Sequence, residues 1–358
     1  MAPTARRMGP GGFHCSAFAS SMSHLMGALD TNETLHHVNV QAKLPRGRWP
    51  ARIGRDPLQP EKPDVNSIFD RHLLVRRRNR VAGTAIAPDF LLARVADDMA
   101  ERLALIQRTF PLAVNLGAHH GLVSRRVRGL AGIENIVDVE RSVRLLAHCN
   151  GLRVVADEEA LPFAAASLDL VVSGLALHFV NDLPGALVQI RRALKPDGLL
   201  LAALLGGETL HELRTTWLTA EAEISGGASP RVAPFADIRD LGSLLQRAGF
   251  TLPVVDADTV KVTYESPLTL MQEVKAMGAS NMLIARRRRP VTRGLLKRAA
   301  EIYAERFATP DGRVEATFEI ITLTAWAPHE SQPKPLKPGS ATTRLANALG
   351  TSERKLRQ

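Results

Sequence analysis

The segment Leu112–Asp138 constrains what this chain can fold into more than any other stretch. It reads as a buried strand (LAVNLGA), a turn bracketed by Gly117 and Gly121, a helix, and a second strand (NIVDVE) closed by an acid, Asp138. An almost wholly apolar strand is covered on both faces, and a covered strand that continues through a helix opens a parallel sheet. Gly117 and Gly121 let a ligand approach the main chain, and a carboxylate at the end of the second strand can accept two ribose hydroxyls. The unit therefore points to a nucleoside-containing ligand.

The alternation continues. Further strands are expected at Leu152–Asp157, Leu168–Leu177 and Leu199–Leu205, with helices near 141–148, 182–194, 208–222 and 237–248. Gly249 suits a left-handed helix end, and Pro196-Asp197-Gly198 a tight turn into the fifth strand. After Gly249 come two long β-rich runs, Leu252–Tyr264 and Glu315–Trp326, with helices at 267–277 and 292–307 between them. The alternation makes the expected fold α/β with a Rossmann-like seven-stranded sheet, and the final pair resembles the antiparallel edge of the S-adenosylmethionine-dependent methyltransferase sheet, which implies the order 3-2-1-4-5-7-6. The spacing is not the G-x-G-x-x-G of dinucleotide folds.

Ahead of the sheet, residues 1–62 are rich in Gly, Pro, Ser and Met without helix or strand periodicity and read as a disordered extension. Residues 63–110 read as an N-terminal helical cap. Its first helix carries Phe69, Leu73 and Leu74 among bases, with Arg76, Arg77, Arg78 and Arg80 assigned to a wet face. Its second helix, 88–106, places Leu91, Val95, Met99 and Leu103 on one side. The sheet domain then spans 111–330, and 331–358 is a C-terminal tail.

Composition narrows the classes. Hydrophobic residues make up 45% of the chain, enough for a large core, and no stretch approaches the roughly 20 apolar residues of a spanning helix. Contact with a membrane surface stays open. Cys15 and Cys149 fit neither a disulfide framework nor a metal spacing. The net charge of +10 raises a nucleic-acid reading, but most of the excess precedes residue 81 and the run Arg286–Arg289 lacks interleaved aromatics, so no nucleic-acid partner is expected. His14, His24, His36 and His37 lack matching carboxylates or cysteines, and no metal site is expected.

Ligands of such sheets lie at the carboxyl ends of the strands. The candidate binding residues are Gly117, Gly121, Asp138, Asp157, Glu158 and Ser173. Asp157 or Glu158 can accept an adenine amine while Leu161 and Phe163 wall the ring, and Ser173, Gly174 and His178 face the reactive end. Each has a plainer reading: Asp157 as a turn cap, Asn115 as a buried turn residue, His178 as a satisfied core histidine. Glu208 is a candidate for orienting a basic acceptor, or simply an acid near a helix N-terminus.

The turn NLGAHHG resembles motif I of class I S-adenosylmethionine (SAM) methyltransferases, with Asn115 and His119 where that family usually has Asp and Gly. The segments IFDRHLL, ADEEALPF, SLDLVVSGLALHFVNDLPGAL, RALKPDGLLLAALLGGETLHELR, PFADIRDLGSLLQRAGF, VKAMGASN and HESQPKPLKPGSA resemble the mitochondrial arginine-hydroxylase family of complex I assembly factors and its α-proteobacterial relatives. The resemblance implies SAM as cofactor and an arginine on a peripheral-arm iron–sulfur subunit of complex I as substrate. It also implies a location in the bacterial cytoplasm, at the inner face of the membrane, or in the mitochondrial matrix. VKAMGASN is shared in part with a second class, small-molecule O-methyltransferases like the biotin-pathway malonyl-carrier enzyme. A third reading is a non-catalytic assembly chaperone, which the altered motif I allows, while HESQPKP and GGETLHELR favour the first class over the second.

Overall fold

The structure is a computed structural model that describes residues 67–83, 89–333, 340 and 343–352. The extension over residues 1–62, with its four histidines and Cys15, lies outside the described residues. Seven strands, β1 (Leu112–Leu116), β2 (Asn135–Val139), β3 (Leu152–Val154), β4 (Leu168–Gly174), β5 (Leu194–Leu205), β6 (Thr251–Tyr264) and β7 (Val314–Trp326), form one sheet. Their order is β3-β2-β1-β4-β5-β7-β6, the order the sequence predicts. The first five are parallel, and β7 runs antiparallel between β5 and β6.

The helices follow the same alternation: α1 (Arg71–Val81), α2 (Phe90–Leu105), α3 (Leu122–Val127), α4 (Val143–Leu146), α5 (Leu183–Ala193), α6 (His211–Ser225), α7 (Ile238–Arg247), α8 (Pro267–Ala276), α9 (Arg293–Phe307) and the short α10 (Leu345–Ala348). Their starts are set locally. Asp182, Asp237, Ser266 and Thr292 each accept an N–H of the first turn of α5, α7, α8 and α9, a contact worth about 1 kcal/mol apiece.

Apolar side chains alternate between the two faces of the sheet. Leu170, Val172, Leu199 and Leu201 face a layer that includes Val95 and Met99 of α2, Trp217 of α6 and Tyr303 of α9. Val171, Leu200, Val137 and Val139 face the opposite layer, with Leu187 and Ile190 of α5 and Leu241 and Leu245 of α7. Burial on both faces explains why β4 and β5 read as continuous apolar runs. The Pro196–Gly198 turn is a bulge in β5: Leu194 pairs with Leu168 and Leu199 with Leu170, while Asp197 takes a positive φ of 62°.

The two cap helices have different places. Helix α2 packs on α3 and β4 as a member of one layer. Helix α1 lies against α4 at the strand ends, and the wet-face expectation for its arginines is overturned in part. Arg76 and Arg80 are exposed, but Arg78 is buried, as is Arg71 at the helix start. Both turn inward because buried carboxylates await them. The entry to α1 is pinned: the Asn181 side chain accepts the N–H groups of Ile68 and Phe69 and donates to the Phe69 carbonyl. Asp70 donates its N–H to Met282 O, and Arg286 pairs with the Asp70 carboxylate. Met282 and Leu283 pack there against Phe69 and Phe179, so Met282 fills a core while Met277 lines a cavity.

Candidate active site

At the carboxyl end of β1 the chain turns on Gly117 (φ 70°) and Gly121 (φ 79°). Neither glycine is spare. A Cβ on Gly117 would stand 2.1 Å from the Cβ of Ala176, and one on Gly121 3.1 Å from Cys149 Sγ. The close approach that Gly117 permits in this structure is thus that of the segment after β4. Overpacking of about 1–3 kcal/mol plus a left-handed backbone cost of about 1–2 kcal/mol predicts that Gly117→Ala lowers the unfolding free energy by several kcal/mol, measurable by urea titration.

Between these glycines His119 also takes a left-handed φ, 51°, where glycine would be unstrained. Its Nε2 lies 3.1 Å from Gly174 O, joining the motif I loop to the end of β4. Burial, with Arg78 and His120 adding to it, lowers its pKa to about 3, so the ring is neutral and Nε2 donates to that carbonyl. Its backbone N–H points the other way, to Glu140 Oε2 at 3.1 Å.

Glu140 is the acid that sequence reasoning missed. Strand β2 runs to Val139, and Asp138 lies within it, fully buried beneath α3, where its Oδ1 accepts from Ser124 Oγ and from Asn115 Nδ2 at 3.0 Å. Burial raises the Asp138 pKa against the opposing pull of those two bonds. Glu140 follows the strand immediately, and Gly117 N–H bonds to the adjacent Val139 carbonyl. Its carboxylate takes the N–H of Ser142, the N–H of His119 and both contacts of Arg78 Nη1 at 3.0 Å. The available signal was Glu140-Arg141-Ser142, an acid two residues ahead of the Ser142 cap of α4.

After β3, Asp157 is part-buried and Glu158 buried, and both meet Arg71. Arg71 stands 2.8 Å from Asp157 and 2.7 Å from Glu159, and also bonds Glu158. Burial opposes its charge, and the three carboxylates overcome that and raise its pKa. Asp157 also caps its own turn, accepting the N–H of Glu159. Leu161 and Phe163 are half-buried beside the layer that holds β3.

Ser173 is fully buried and donates to Leu116 O at 2.7 Å, which ties β4 to β1. His178 does line the central cavity, of about 110 Å³, with Arg78, His119, Leu175, Leu205 and Met277. Glu208 lies elsewhere. It is exposed in the turn before α6 and lines a separate hollow of about 570 Å³ with Glu212 and Glu315. Among the described residues no group of three His, Cys, Asp or Glu side chains is arranged to hold a metal.

Cys149 packs under the motif I turn, and burial together with Asp138 and Glu140 pushes its thiol up to about 12. Only the thiolate reacts, so peptide-resolved alkylation near pH 8 is expected to leave Cys149 unlabelled in the native protein and label it after denaturation.

A sheet of this order, with a glycine turn after β1 and acids after β2 and β3, defines the class I SAM-dependent methyltransferase fold. The methyltransferase-domain family model matches residues 114–202. An arginine-hydroxylase NDUFAF5, mitochondrial, of Danio rerio is 38% identical over 78% of this chain and 89% of its own length. The Homo sapiens protein of that name is 39% identical over 83% and 87%. The chain belongs to the arginine-hydroxylase NDUFAF5 family. It is also similar to a malonyl-[acyl-carrier protein] O-methyltransferase of Methylovorus, 33% identical over 73% of this chain and 90% of that one.

Proposed function

We propose that this protein is a SAM-dependent enzyme of methyltransferase fold that modifies an arginine on an iron–sulfur subunit of the complex I peripheral arm during assembly. The observation that carries it is Glu140, a buried carboxylate directly after β2 beside the glycine turn, within a family whose members are named arginine hydroxylases. The donor set suits SAM. Glu140 offers acceptors for ribose hydroxyls, Asp157 and Glu158 for an adenine amine, and His178 an unpaired N–H in the adjoining cavity. Asp138 uses Oδ1 on Ser124 and Asn115, which fixes α3 against β1 and β2, and its Oδ2 is buried without a partner.

When bound, SAM supplies a sulfonium centre. The chain orients it and excludes water, with Leu175, Leu205 and Met277 as apolar walls. Arg78 must release Glu140, and the His119 ring must turn out, for the nucleoside to settle. No helix among the described residues is long and apolar enough to cross a membrane. By its family the protein acts in the bacterial cytoplasm or, in a eukaryote, in the mitochondrial matrix, in line with relatives named as mitochondrial.

The test compares intact masses of peripheral-arm subunits from cells with and without the gene. A mass increment on one subunit that depends on the gene supports the reading; a methylene or a single oxygen identifies the chemistry. Identical masses for every subunit, with no SAM binding by calorimetry, leave a scaffold. Identical masses with SAM bound and a malonyl thioester methylated favour the small-molecule reading.

A further inference from the structure

His178 holds a hydrogen-bond donor that nothing in the protein receives. It sits in the single 3-10 turn after β4 (Leu177–Phe179), is 8% exposed, and packs against Phe179 and Phe235 with ring centroids 4.0 and 5.6 Å away. Its Nδ1 accepts the backbone N–H of Leu205 at 3.4 Å. An amide N–H can only donate, so Nδ1 is bare and a neutral ring carries its proton on Nε2. The ring is neutral because burial, the Arg78 guanidinium of α1 and the His119 imidazole of the motif I loop hold its pKa well below the ordinary value. Arg78 is itself engaged by Glu140. Nε2 is itself buried without a partner, and the residue lines the central cavity.

An unpaired buried N–H costs stability, and such costs persist where a ligand completes the bond. We infer that His178 gives its Nε2–H to a carboxylate or carbonyl oxygen of the molecule bound in this cavity. This rests on the cavity's being the cofactor and substrate site, and deepens that reading in two ways. His178 is not a general base, since its unpartnered nitrogen already bears the proton. A guanidinium, which has donors only, cannot be its partner. The arginine to be modified therefore takes no bond from His178. The oxygen belongs either to the methionyl carboxylate of the cofactor or to a substrate acyl group.

Imidazole nitrogen NMR on the full chain tests this directly. The His178 Nδ1 signal is expected in the bare range and Nε2 in the protonated range, unchanged between about pH 5 and pH 8. S-adenosylhomocysteine should shift the Nε2–H resonance while methylthioadenosine, which lacks the carboxylate, leaves it in place; a shift with malonyl-pantetheine alone assigns the oxygen to an acyl group. His178→Phe should weaken binding of the responding probe about tenfold, and His178→Gln, which keeps an N–H, should restore most of it. A proton on Nδ1, titration within that range, or no Nε2–H shift with any probe overturns the inference. Calorimetry on the same samples separates that outcome from a loss of cofactor binding, because S-adenosylhomocysteine that binds without moving the resonance defeats only the His178 assignment.

Discussion

Replacing Arg71 by leucine is expected to lower the unfolding free energy by about 3–5 kcal/mol, because removing one partner of a buried ion pair strands the other. Arg71 is 7% exposed and Glu158 3%, and the same guanidinium also serves Asp157 and Glu159. The next cation, Arg78, lies 3.8 Å from Glu158 and is already engaged with Glu140, so it cannot neutralise the group in full. Urea denaturation of Arg71→Leu, Glu158→Gln and the double variant reads the effect. The double variant should recover part of the loss, since it removes the stranded charge. A single-variant change below about 1 kcal/mol would show these contacts to be solvated surface pairs.

His119→Gly should tighten binding of S-adenosylhomocysteine by about 10–100-fold, if the conformer with the ring out of the crevice makes up about 1–10% of the population. The substitution also relieves a left-handed backbone costing about 1–2 kcal/mol, and loses the bond from Nε2 to Gly174 O. Isothermal titration of the two proteins checks it. An unchanged dissociation constant would mean that the nucleoside enters without moving the ring. Comparing both proteins with methylthioadenosine then tells which end of the ligand the imidazole opposes.

The sheet was legible because buried parallel strands and crossover helices have different periods, and the place of the last two strands followed from the resemblance to the methyltransferase sheet. The arginines of α1 were misread for a specific reason. Arg71, Leu74 and Arg78 fall at i, i+3 and i+7, one helical stripe, but arginine counts as polar, so Arg78 reads as facing water with Arg76, Arg77 and Arg80. What reverses the assignment is Glu140 and Glu158, far along the chain and visible only once the strand ends are assembled. Asp138 reads from sequence as the acid that closes β2, whereas the strand runs to Val139 and Glu140 follows it. A period of two puts both acids on one side of the strand, and only the strand end separates a structural carboxylate from one at the rim. His178 was singled out from sequence, but its protonated nitrogen depends on the Leu205 N–H, which belongs to another strand.

The pinning of α1 bears on how small this protein can be made. A chain begun at Phe90 would keep all seven strands, yet Glu140, Asp157, Glu158 and Glu159 would lose Arg71 and Arg78 and keep only Arg141 among them. The stretch from Ser280 to Arg286 would also lose its contacts with Phe69, Asp70 and Arg77. Excision of a minimal catalytic fragment at the sheet boundary is thus a poor strategy, and expression designs should retain the residues from Ser67 onward.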